Sequence, residues 1–274
     1  MRHSRLPLYL DGLIAAWRSG QTGRNIHLGY WDDPPELAIP AALSEFTVAQ
    51  ARLTERMVAL AQVRSGQRVL DVACGFGGAL AEIARRAPRL DLAGLNIDRR
   101  QLEICRSIPR PPGSSLLLVE ADACAMPFAA ASFDNIFCIE AMFHFASRRV
   151  FLAEAARLLR PGGTLVLSDI LIRRPTESPW DGNTMTTVLQ RDYGPWPELW
   201  DTPENVLQSA AAAGLTVIGM YDWSPQTLPS YRTVAPDEKP ELRPSPDAGN
   251  VLRWLHVRGW LTYQIFVFQH GGNP

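Results

Sequence analysis

The sequence predicts an open, doubly wound α/β fold on a mostly parallel, seven-stranded sheet with an aromatic-rich cap, and three observations predict it. Short apolar runs alternate with helical patterns from Arg68 to Ile170, the rhythm of repeated βα units. The runs are apolar almost without interruption, as strands are when helices cover both faces of a sheet. The first of them, VLDVAC, opens into the glycine turn GFGG before a helix begins, as at the ligand-binding strand ends of open α/β sheets.

Before the alternation, Leu8 to Arg18 reads as a short amphipathic helix and HLGYWDDPP as a loop of aromatics and turn formers. Ala42 to Ala61 is predicted helical because Leu43, Phe46, Ala49, Leu53, Met57 and Leu60 recur at helical spacing. RVLDVAC is then a strand, ALAEIARRA a helix, LDLAGLNI a strand and RRQLEICRSI a helix. SLLLVEAD, FDNIFCIEA and TLVLSDI are further strands, with the helix FLAEAARLL and the break PGG between the last two. The stretch RRPTESPWDGNTMTTVLQRDYGPWPELW reads as irregular, Pro203 to Ala213 as a helix ended by Gly214, and LTVIGMYDW as a sixth strand. PDEKPELRPSPD is an exposed Pro-rich loop by composition, VLRWLHVRGW a helix and LTYQIFVF the last strand. With no internal repeat or clear linker, the expected organisation is one domain: a helical lid over 1–62, a ligand-binding core over 63–170, and core strands with cap insertions over 171–274.

A chain of 274 residues that is 46% hydrophobic can bury a full core. Its formal net charge of -1 supplies no whole-chain attraction for nucleic acid. Cys74, Cys105, Cys124 and Cys138 form no CxxC pair and are expected as reduced thiols, and no HExxH or Cys/His cluster suggests a metal. No apolar run reaches membrane-spanning length, and the basic start is interrupted by Asp11 without a convincing cleavage site. A cytoplasmic protein that does not insert into a membrane is expected.

The glycine turn fails the dinucleotide fingerprint, because counting GxGxxG from Gly75 puts Leu80 at the last glycine. No GxxxxGK[ST] is present. Taken with its neighbours, however, VLDVACGFGG resembles the glycine motif of class I S-adenosylmethionine-dependent methyltransferases. LAGLNID resembles that family's second strand, EADACAMPF its adenine loop, FDNIFCIEAMFHF its fourth strand and turn, and LLRPGGTLVLSDI its fifth unit, all in the family's order. With HLGYW upstream, the chain looks like the small-molecule branch that modifies quinones, sterols, polyketides and other natural products.

The resemblance implies a Rossmann-like fold and S-adenosyl-L-methionine as cofactor. It implies that Asp71 orders the loop or meets the cofactor's ammonium, with Ala73, Gly75 and Gly77 near the methionine part and Tyr30 at the same end. The family's ribose-binding acid is replaced by Asn96, with Ile97 beside it and Gln101 one turn on as a second hydroxyl ligand, while Asp98 fits a helix cap better. Asp122 matches the carboxylate on the adenine amino group, Ala123 the backbone facing the ring, and Glu140 a further cofactor residue. Met126, Pro127 and Phe128 pack nearby, and Cys74 is a small buried residue of the loop.

Methyl transfer from a sulfonium needs alignment and exclusion of water, with a base added when the acceptor is an alcohol. His144 is the expected base, with His256, His27 and Asp169 weaker candidates. Trp31, Met142, Phe143, Trp180, Trp196, Trp200 and Tyr231 are expected to line an apolar or aromatic acceptor pocket. The expected reaction is methyl transfer to a small secondary metabolite, with oxygen favoured. Carbon or nitrogen transfer, a cyclisation or elimination assisted by bound cofactor, and a cofactor-binding protein without turnover stand as alternatives. An RNA substrate is disfavoured, and assembly into a homo-oligomer is compatible with the sequence.

Overall fold

Alternate residues of the central strands enter opposite apolar layers: Val69, Phe137, Val166 and Ile265 join one, and Leu70, Ile136, Leu165 and Phe266 the other. That is why these strands read as unbroken apolar runs. The computed structural model describes residues 9–33, 42–174, 178, 181–234 and 247–271. Helices α1 (Tyr9–Arg18) and α2 (Leu43–Leu60) precede β1 (Arg68–Val72), α3 (Gly78–Arg86), β2 (Asp91–Asn96), α4 (Arg99–Cys105), β3 (Ser115–Glu120) and β4 (Phe133–Ile139). After a 3-10 turn at Met142–His144 come α5 (Arg148–Leu158), β5 (Leu159–Ile172), α6 (Gly182–Tyr193), α7 (Pro203–Ala212) and β6 (Leu215–Asp222). Two short helices, α8 (Ser224–Thr227) and α9 (Tyr231–Val234), lead to α10 (Ala248–Val257) and β7 (Leu261–His270). Residues of α2, α3, α4, α6 and α10 fill the first layer, and those of α5 and α7 the second.

The sheet order is β3-β2-β1-β4-β5-β7-β6. Strands β1 to β5 pair in parallel, and β7 runs antiparallel between β5 and β6. Strand order reverses between β1 and β4, which opens a crevice beyond their C-terminal ends. Strand β5 begins earlier than TLVLSDI suggested and absorbs the PGG turn through a register shift opposite Phe133 and Asn135.

One helix departs from the sequence expectation. The stretch read as irregular contains α6, capped by Asp181, whose carboxylate accepts from Thr184 N at 2.7 Å, and ended by Gly194 at φ 81°. Met185, Val188 and Leu189 form its buried stripe. Three residues make a weak periodic signal among threonine, asparagine and glycine, which are poor helix formers.

The segment that follows, Pro195 to Asp201, is held by Arg148. Its guanidinium lies 2.7 Å from Asp169 Oδ2 with both side chains buried, and donates to Glu198 O at 2.7 Å, while its backbone N–H meets Glu198 Oε2 at 2.8 Å. Arg148→Met is expected to leave Asp169 as an uncompensated buried charge and to lower the unfolding free energy by about 3–5 kcal/mol, read by denaturant titration. Arg148→Lys should recover only part of this loss, because a lysine lacks the planar fork.

Candidate active site

The crevice at the strand-order reversal is a cleft of about 520 Å³. Asp71 pairs in register with Phe137, so Ala73 and Ile139 leave the sheet at the same level. Just there the backbone turns left-handed at two residues that are not glycine, Ala73 at φ 55° and Glu140 at φ 51°. Such conformations cost of order 1–3 kcal/mol each, and they aim both turns into the cleft.

On the β1–β3 side, Asp71 is buried at the cleft wall, and burial lifts its carboxyl from 3.8 to about 8. No hydrogen bond or ion pair among the described residues engages that carboxylate, which leaves a buried acceptor facing a cavity of ligand size. Gly75, at φ 53°, carries the loop under Ile26, whose Cδ1 stands 3.0 Å from where a Cβ would be. A Cβ on Gly78 would strike Asn25 Oδ1, so the Arg24–His27 segment closes down on the glycine turn. Gly77 serves packing instead: at φ 80° it caps α3, and a Cβ would collide with Ile108.

At the end of β2, Asn96 donates to Gln101 Oε1 at 3.4 Å and accepts from Asp98 N at 2.9 Å. Asp98 accepts from Arg100 N and thus caps α4. Asn96 and Gln101 line the cleft, and Ile97 exposes 47% of its apolar surface there, a platform for a flat ring. Asp122 lines it too, one carboxylate oxygen fixed by Cys124 N at 2.8 Å, with buried Ala123 next to it. Cys74 and Cys105 Sγ stand 3.9 Å apart under the loop, and their mutual hydrogen bond and burial push the Cys74 thiol well up, which keeps it protonated.

On the other side, Glu140 is half-buried and lines the cleft. Leu28 N donates to its Oε2 at 2.9 Å; burial nonetheless lifts it from 4.5 to about 7. His144 is lowered from 6.5 to about 4 by burial and is neutral at pH 7. Its Nδ1 is 3.1 Å from Pro195 O, to which it donates, and its Nε2 faces Tyr9 OH at 3.3 Å. Behind this wall Phe143 stacks on Trp196 with centroids 4.4 Å apart; both are buried core rather than the cleft-lining residues expected, and Trp196 Nε1 has no hydrogen-bond partner among the described residues. Pro195 and Pro197 complete this wall, which Arg148 anchors.

Other expected residues lie elsewhere. Tyr30 is not among the cleft-lining residues: its ring lies under Arg56 at 4.1 Å and against Trp223 at 5.1 Å. Trp31 packs with Phe46 and Ala49 and donates to Ser230 Oγ at 3.1 Å, and Met142 is core. Trp200 lies beneath Arg174 in a separate depression shared with Arg148. Trp180 and the Pro-rich loop lie outside the described residues, apart from Asp247 at the loop's end. Asp169 faces Arg148 rather than the cleft, and His256 is bound to Ser224 O at 2.8 Å, whereas His27 does line the cleft, lowered to about 4 by burial. Tyr9, Asn25, Ile26 and Pro195 are cleft residues that sequence reasoning passed over. RNI directly before HLGYW was the available signal. Among the described residues, no group of three or more His, Cys, Asp or Glu side chains could hold a metal ion, and no helix is long and apolar enough to cross a membrane.

Comparison with known proteins agrees with this geometry. A family described as "Methyltransferase domain" matches residues 70–167. "Methyltransferase GfsG" of Streptomyces halstedii is 32% identical over 219 residues, 77% of this chain and 73% of that protein. The 27-O-demethylrifamycin SV methyltransferase of Amycolatopsis mediterranei is 36% identical over 152 residues, 55% of this chain and about half (53%) of that protein. The geranyl diphosphate C-methyltransferase of Streptomyces coelicolor, solved with S-adenosyl-L-homocysteine, has a TM-score of 0.72 at 15% identity, covering 96% of this chain and 98% of that one. With its β1 glycine turn, unpartnered Asp71 and cleft at the strand reversal, the chain belongs to the class I S-adenosylmethionine-dependent methyltransferases.

Proposed function

We propose that the enzyme methylates a hydroxyl oxygen of a small, largely apolar or aromatic secondary metabolite. The observation that carries this reading is the continuity of the cleft: its lining passes from Asp71, Asn96 and Asp122 to Tyr9, His144, Phe145 and Pro195 without a break. A polar half suited to the cofactor therefore joins an aromatic half suited to an acceptor. The oxygen-methylating activity named for the Amycolatopsis relative supports the choice of atom.

Bound S-adenosylmethionine supplies an activated methyl group on sulfur. The chain's residues fit it: Asp71 offers the unpartnered buried carboxylate that an ammonium requires, and Asn96 with Gln101 offers amides to a diol. Asp122 keeps one carboxylate oxygen for an amino group over Ile97 and Ala123. His144, neutral and hydrogen-bonded at both ring nitrogens, has little proton affinity left and orients the acceptor side with Tyr9.

Calorimetric titration tests the cofactor half. S-adenosylmethionine and S-adenosylhomocysteine should bind on the order of −8 kcal/mol, NADH should give no heat, and Asp122→Ala should weaken both cofactor forms about tenfold, roughly 1.4 kcal/mol. His144→Ala should leave these affinities unchanged and slow transfer to a hydroxyl acceptor; unaltered turnover would remove His144 from the reaction. Between about pH 6.5 and pH 8, above the range in which the buried neutral histidines would take up protons on unfolding, the raised Asp71 and Glu140 carboxyls make the native chain bind more protons than the unfolded one. Cofactor-free protein should therefore lose melting temperature as pH rises across that window. Asp71→Asn should flatten the profile, and a profile unchanged by that substitution would contradict the buried, unpaired state of Asp71.

A further inference from the structure

We propose that Glu140, which lines the cleft at the junction of its two halves, is the group that takes the proton from the acceptor's hydroxyl. The inference rests on the reading of the enzyme as an oxygen methyltransferase, and it assigns to Glu140 a role different from holding the cofactor.

Position is the first argument. In the sheet order, β1–β3 stand to one side of β4 and β5–β7–β6 to the other. The cofactor-half residues Asp71, Asn96 and Asp122 lie at or just beyond the C-terminal ends of β1, β2 and β3. The surroundings of Glu140 come from the opposite side and from the N-terminal segment: Leu28 on its carboxylate, Ser168 of β5 on its backbone with Tyr263 of β7 behind it, and in the same cleft Tyr9 of α1, against which Tyr193 of α6 packs. Two carboxylates thus flank the reversal point in different settings: Asp71 awaits a cation on the cofactor side, and Glu140 is organised on the acceptor side.

Orientation is the second. Glu140 N donates to Ser168 Oγ at 2.9 Å, and Ser168 Oγ lies 3.2 Å from Tyr263 OH. With Leu28 N on Oε2, these bonds fix the carboxyl although its residue occupies a left-handed turn. No ion pair among the described residues involves Glu140. Tyr231, expected in the acceptor pocket, is instead fully buried against His256 and is not among the cleft-lining residues. A cleft-lining carboxylate held by Leu28 N and engaged by no ion pair fits a hydroxyl oxygen that the ligand brings, whose proton it can receive.

The groups facing Glu140 leave it alone to change charge near neutrality on its side of the cleft. Tyr9, Tyr193, Tyr231 and Tyr263 are all pushed upward by burial, and His144 and His27 are held neutral, both at about 4. Glu140 itself, at about 7, has a proton affinity suited to a general base at neutral pH. In the step, the acceptor's O–H bond breaks and its proton passes to the Glu140 carboxylate. The oxygen pair forms the O–CH3 bond, and the S–CH3 bond breaks with its electrons left on sulfur as a thioether. The protonated carboxyl then returns its proton to water.

Glu140→Gln tests this with three readings. S-adenosylhomocysteine should bind the variant within about threefold of the parent; a loss of tenfold or more would return Glu140 to the cofactor site. Phenols of graded acidity, from an unsubstituted phenol to its nitro derivatives, serve as acceptors. Transfer to the weakly acidic phenol should fall about 10²–10⁴-fold, whereas a nitrophenol already ionised at neutral pH should lose less than tenfold. An equal loss on both would reduce Glu140 to positioning and overturn the proposal. Carbon NMR of glutamate-labelled protein loaded with S-adenosylhomocysteine should show one carboxyl titrating near neutrality, absent from the variant; titration of every glutamate below pH 5 would also overturn it. If the parent methylates no oxygen in the phenol series or in a wider hydroxyl screen, the oxygen-methyltransferase reading fails, and the NMR titration reports on Glu140 separately.

Discussion

The level ending of β1 and β4 constrains the rest of the molecule. Because Asp71 and Phe137 are paired, the glycine turn and the Glu140 turn emerge side by side from neighbouring parallel strands. Each needs a left-handed residue to leave the sheet, and neither Ala73 nor Glu140 adopts that conformation unaided. The surroundings have to enforce it: Cys74 N donates to Leu95 O at 3.0 Å, and Glu140 N to Ser168 Oγ at 2.9 Å. Cofactor half and acceptor half are thus set by bonds to the next strand on either side.

The N-terminal segment joins the two halves. Asn25 and Ile26 press on the glycine turn, Arg24 donates to Phe76 O at 2.9 Å, and Leu28 N reaches Glu140. Gly29 lies so close to α2 that a Cβ would stand 2.5 Å from Ala49 Cβ, and Gly29 N donates to Ser230 Oγ at 2.8 Å. A segment tied at once to α2, to β4 and to the turn before α9 has little freedom to move without loosening all three.

The strands and the cofactor half were largely legible in the sequence, for local reasons. An apolar run buried on both faces can be read residue by residue, and Asp71, Asn96 and Asp122 sit at fixed offsets from the ends of such runs. The acceptor half was not legible in the same way. The cleft residues on that side, from Tyr9 to Pro197, are brought together only by the completed fold. Conspicuous residues misled: Trp31 and Met142 look like pocket residues and are core, whereas Glu140, inconspicuous in IEAMFHF, owes its raised carboxyl to burial, which its own stretch of sequence does not reveal. The helix α6 was hidden by weak local propensity, and packing of its three-residue stripe outweighs that deficit.

Strand β7 is the last of the seven in chain order, yet it lies between β5 and β6 and carries Tyr263. Within the first five strands only the β1–β4 pairing, which joins Val69 to Asn135, bridges strands that do not follow one another in the chain, whereas β6 has no sheet partner until β7 arrives. Pairing β5 with β7 joins Thr164 to Gln269, among the most sequence-distant contacts of the sheet. Such closures are slow relative to local ones. During synthesis and refolding, then, the half that holds the cofactor can take shape before the half that holds the acceptor, and the enclosure around Glu140 matures last.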